Sequence, residues 1–129
     1  MIEDSIYEKL KTDLPSLSDR IYPTVLPSGA QLPAVTYQRI PGRRIQQHGK
    51  ESPVVLGRFQ FTVRSSVYET GKDIAKQIRN SLSTFQGMMG TTHQTRVDGV
   101  LLEDDRDDYD PELPMFMVYI PATVVYQEV

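Results

Sequence analysis

The chain has 129 residues, 39% of them hydrophobic and 24% charged, with a net charge of −3 and no cysteine. That length and balance fit one globular domain, residues 1–129. The composition excludes disulfides, thiolate nucleophiles and cysteine-ligated zinc, and no apolar run is long enough to span a membrane. Acids stand in the opening Met1-Ile2-Glu3-Asp4-Ser5, where a signal peptide carries bases, so a soluble protein made in the cytosol is expected.

Charge is unevenly spread. From Glu103 to Glu112, seven acids face one base, Arg106, a local charge of −6. From Pro41 to Ser52, Arg43, Arg44 and Lys50 against Glu51 give +2. The rest is close to neutral, so the chain reads as a two-poled molecule.

In chain order, Ile2, Ile6, Leu10 and Leu14 recur every fourth position and predict a helix that Pro15 ends. Residues 15–33, punctuated by Pro15, Pro23, Pro27, Ser28-Gly29 and Pro33, read as a connector, with Ile21 and Tyr22 as a short extended piece. Ala34 to Ile40 is rich in β-branched and aromatic residues and reads as a strand. A polar loop of about 13 residues follows, longer than a hairpin needs. Val55, Gly57, Phe59, Phe61 and Val63 then alternate with Arg58, Gln60, Thr62 and Arg64, which predicts a strand with one buried and one wet or partner-covered face.

Ser66 and Glu69 have capping-box spacing, and Val67, Gly71, Ile74, Ile78, Leu82 and Phe85 form the apolar stripe of a second helix. Thr95–Glu103 and Met115–Tyr126 complete the strands, and Pro121 within the last is expected at an edge or bulge. The expected fold is α+β, in the order α-β-β-α-β-β. Its mostly antiparallel sheet has about four strands, with two helices packed on one face.

No arrangement of residues points to catalysis. His48 and His93 stand apart in polar turns, and the glycine turns lack any phosphate-binding context. The acidic run fails the calcium-loop pattern in both registers, since Arg106 or Tyr109 falls where a ligand belongs. No catalytic, cofactor-binding or metal residue is therefore assigned. The acidic segment reads instead as a solvated loop or as half of a contact between copies. The candidate interface residues are Arg43, Arg44 and Lys50 on one pole and Asp104, Asp105, Asp107, Asp108 and Asp110 on the other. Head-to-tail pairing of such poles closes into a ring.

Taken in order, Asp19-Arg20-Ile21-Tyr22-Pro23, Leu32 to Ile40, Arg58-Phe59-Gln60-Phe61-Thr62-Val63 with its helix, Asp104 to Tyr109 and Tyr119 to Tyr126 resemble the tail-completion, or tail-terminator, family of long-tailed phages and prophages. The likeness runs over nearly the whole chain, although Arg64-Ser65-Ser66 stand where members of the family often carry a tryptophan. The resemblance implies a non-enzymatic structural protein of the virion, assembled in the host cytoplasm as a hexameric ring. Such a ring ends the tail tube and joins tail to head. Its implied partners are further copies, the tail tube protein and the head completion or connector protein, with DNA passing through without sequence-specific binding. The acidic run would then line either the lumen or a subunit interface. The alternatives are another small phage or contractile-system adaptor and, further off, a metal-dependent enzyme using residues 103–112.

Overall fold

The computed structural model describes residues 2–17, 19–41 and 54–127. Helix α1 (Ile2–Asp13) opens the chain and passes through a short 3-10 turn into β1 (Ile21–Pro23) and β2 (Ala34–Arg39). Then come β3 (Val54–Ser65), α2 (Tyr68–Leu82), β4 (Gly87–Met89), β5 (Thr95–Leu102), β6 (Arg106–Asp110) and β7 (Met115–Gln127). The four-strand sheet and the α-β-β-α-β-β order are thus overturned. Among the described residues the fold is mostly β, with seven strands in one curled sheet.

The sheet runs β1-β2-β3-β7-β5-β4, with β6 also on β7. Among the described residues only the β1–β2 pair is parallel. The organising element is β7. It lies along the whole of β3 on one side, from Ser65↔Phe116 to Val54↔Gln127. Its other side is shared end to end by β5, opposite Ala122–Tyr126, and β6, opposite Met115–Tyr119. The sequence order missed two strands. β4 is three residues long and begins with glycine, and in β6 Tyr109 is the one apolar residue, so neither shows hydrophobic alternation.

This arrangement explains Pro121, which lies in the central strand rather than at an edge. Its carbonyl accepts the Glu103 N–H at 2.9 Å on the β5 side. In an antiparallel ladder a residue's N–H and C=O point the same way. The missing donor therefore falls in the gap where β5 ends and β6 has not begun.

Alternation along β3 and β7 places Val55, Phe59, Phe61, Val63, Val118, Ile120, Ala122, Val124 and Tyr126 on one face. Ile6 and Leu10 of α1 and Ile74, Ile78 and Leu82 of α2 join the same core. Gly57 belongs to that face for a reason of space. A Cβ there would stand 3.1 Å from both Phe59 Cε2 and Tyr126 Cε1, beside the Arg39 guanidinium. Arg39 lies 5.0 Å over the Phe59 ring and donates to the Tyr126 hydroxyl at 2.8 Å.

The expected capping box does not form. Strand β3 extends through Ser65, paired with Phe116, so the chain is still extended at Val67, which caps α2 without a side-chain bond. Ser65 Oγ instead accepts the Val67 N–H at 3.1 Å. Val67 is thereby left 53% exposed instead of joining the helix stripe.

Helix α1 anchors the turn between β4 and β5. The Glu8 carboxylate accepts the N–H groups of Thr92 and His93 and the Thr91 hydroxyl. Those amides, Thr92 first and His93 next, hold its pKa down at about 2. Buried Ser5 donates to the His93 carbonyl and shares a hydrogen bond with the Thr95 hydroxyl.

Candidate assembly surfaces

The residues expected to form an interface do not share one fate. Arg43, Arg44 and Lys50, with the rest of their loop, lie outside the described residues. The acidic segment is half strand, and alternation in β6 divides its side chains between the two faces of the sheet.

On the helix side, Asp107 accepts from Lys72 Nζ and the Tyr68 hydroxyl, both at 3.0 Å. Lys72 is the main reason that the Asp107 pKa is lowered, and Asp107 in turn raises that of Lys72. At the β5–β6 corner Arg79 Nη1 donates to Asp105 at 2.5 Å and to the Glu103 carbonyl at 2.8 Å. Tyr109 packs on Phe116 with ring centroids 4.6 Å apart, and Tyr68 meets Phe116 edge-on. A row of α2 side chains therefore holds the acidic segment down.

On the opposite face Arg106 lies over the Tyr119 ring at 4.6 Å. Asp108 and Asp110 are turned to backbone, accepting the N–H groups of Tyr109 and Glu112. Asp104 stays exposed at the corner. Glu103 leaves the run to pair with Arg58 of β3 at 2.9 Å. Much of the −6 charge legible in the sequence is thus used within the molecule. The signal for this was present, since Lys72 and Arg79 sit one helical face apart from the core stripe, but spacing alone does not say which acids they meet.

The face of the sheet away from the helices carries Leu56, Arg58, Gln60, Pro121, Thr123 and Val125, all partly exposed, with Leu101 65% exposed opposite Thr123. It mixes apolar surface with one exposed ion pair, and no described element of the chain packs over that stretch. Nearer the β1–β2 connector the same face is closed. Ala34, Thr36, Thr62, Met115 and Met117 are buried, and a cavity of about 670 Å³ opens between residues 24–32, Arg64, Leu113 and Met115.

Among the described residues no group of three or more histidine, aspartate or glutamate side chains is placed to hold a metal ion. No described helix is long and apolar enough to cross a membrane.

No family model and no curated protein matches the chain. Among solved structures it is similar to a chain in the virion of a native gene transfer agent particle. The two superpose with a TM-score of 0.69 at 14% identity, over 95% of this chain and 92% of the other. The likeness shows a shared fold.

Proposed function

We propose that this chain is a non-enzymatic structural protein of a long-tailed phage or phage-like particle. In this reading it forms a hexameric ring that ends the tail tube and joins the tail to the head. The observation that carries the reading is the fold shared, end to end, with a chain of a virion particle. The open face around Leu101, Val125 and the Arg58–Glu103 pair supports it, because partly apolar, partly charged surface of this kind is what subunit contacts bury. Its neighbours would be further copies, the tail tube protein and the head connector, with DNA passing through the ring.

Native mass spectrometry of the purified chain, alone and mixed with tail tubes, tests this. A closed ring, or one assembled on tube ends and visible by electron microscopy, is expected. Leu101→Glu on the open face should lower its yield without lowering the melting temperature. A chain that remains monomeric at every concentration and beside tail tubes refutes the reading.

A further inference from the structure

A cation that has no oxygen partner among the described residues lies at the cleft beside the open face. Arg64 stands on the outward side of β3, opposite Met117 of β7. Its Nη1 reaches only the Met117 sulfur, at 3.5 Å, and its Nε is the one buried side-chain nitrogen or oxygen among the described residues with no hydrogen-bond partner. A guanidinium has five donors, and thioether sulfur is a weak acceptor. Asp108 lies on the same face across β7, but its carboxylate is held by the Tyr109 N–H.

Around this cation the cleft is mainly apolar, walled by Leu26, Leu32 and Met115, with Val25 and Leu113 at its rim 69% and 58% exposed. The wall from the connector is held in place. Thr24 has a φ of 62°, in the left-handed region, and donates its N–H to the Tyr37 carbonyl at 2.8 Å.

We infer that this cleft docks an extended segment of a partner protein other than a further copy of this chain, one that sets an aspartate or glutamate between apolar residues. The carboxylate supplies the two-oxygen acceptor that the Arg64 fork lacks, and the flanking side chains cover Val25 and Leu113. A small polar metabolite fits less well, because apart from Arg64 the only polar side chains among the lining residues are Thr24 and Ser28. The inference rests on the assembly reading only in taking the occupant to be protein.

The test is a titration of the full chain, followed by amide NMR shifts, with the blocked peptide acetyl-Leu-Asp-Leu-amide and its asparagine counterpart. Saturable shifts at residues 24–32, 64 and 113–115 are expected, with the asparagine peptide about tenfold weaker or worse. Arg64→Met, which keeps the stem over Met117, should erase that difference while leaving the melting temperature unchanged. Should Arg64→Met fail to fold, Leu113→Ser at the exposed rim should weaken the aspartate peptide by a similar factor.

Equal binding of both peptides, or shifts elsewhere on the molecule, overturns the inference. So does competition by 4-methylpentanoate at the peptide's own concentration, which would mark a small-molecule cleft. A native mass that falls in Arg64→Met without any peptide would show a second copy in the cleft and overturn it too. A chain that binds the peptide but never forms rings sinks the ring and leaves the cleft standing; the reverse result does the opposite.

Discussion

Arg79→Met isolates what fastens the acidic corner to α2. The substitution keeps the aliphatic stem and helix propensity but removes two contacts from one nitrogen, to the Glu103 carbonyl and to Asp105. The bond to the carbonyl contributes about 1.5 kcal/mol, as charge-assisted bonds do. The ion pair, with side chains 33% and 22% exposed, adds about 0.5 kcal/mol after solvent screening. The sum of about 2 kcal/mol corresponds to a fall of about 6 °C in melting temperature for a domain of this size. Lys76→Met, which removes the same charge from an exposed position on the same helix, is the control and should change the melting point by about 1 °C or less. Thermal unfolding by circular dichroism measures both, and hydrogen exchange should show faster exchange at residues 106–110 in Arg79→Met alone. Equal melting points for the two variants would refute the assignment of Arg79 as the fastener.

Two further outcomes concern the turn held by α1. Gly90 has a φ of +95°, and a Cβ there would come within 2.4 Å of the His93 carbonyl oxygen, so Gly90→Ala must shift backbone. A loss of about 3 kcal/mol in chemical denaturation is expected. The amides of Thr92 and His93 lower the Glu8 pKa from its ordinary 4.5 to about 2 in the fold. Its stabilising contribution is therefore complete above about pH 4.5 and is lost as the pH falls toward 2. The melting gap between wild type and Glu8→Gln should close over that window; a gap that persists at pH 2 refutes the role given to the carboxylate.

Period carried most of what was legible. The fourfold spacing of Ile2, Ile6 and Leu10 and the alternation of β3 and β7 survive in the structure because each element buries a single face, and that asymmetry is written in residue order. β6 is different. It is a strand because the lower half of β7 would otherwise lack a partner on the side away from β3, and that requirement comes from another part of the chain. The capping box failed for a similar reason, since ladder pairing out to Ser65 took the residues that would have turned into the helix. Arg64 looked like any solvent-side residue of an alternating strand. Only the connector folded against it, with Val25, Leu26 and Leu32 in a stretch rich in proline, makes its environment unusual.

The strand edges bear on how copies of this chain would meet. β1 and β4, each paired on one side only, are three residues long, and β1 ends in Pro23, which has no N–H to offer. β6 is the remaining strand paired only to β7, and there Asp108 occupies the Tyr109 N–H with its own carboxylate. Adding a strand from a neighbour would have to displace that bond, build on three-residue templates, or use the short stretch of β5 beyond Val97 that β4 leaves unpaired. Contacts through side chains, across the face bearing Leu101 and Val125, meet no such constraint. A ring built from this molecule would accordingly be sealed by surfaces rather than by a continuous β-ladder. Its subunits would then separate in salt and mild denaturant well before the seven-stranded sheet unfolds.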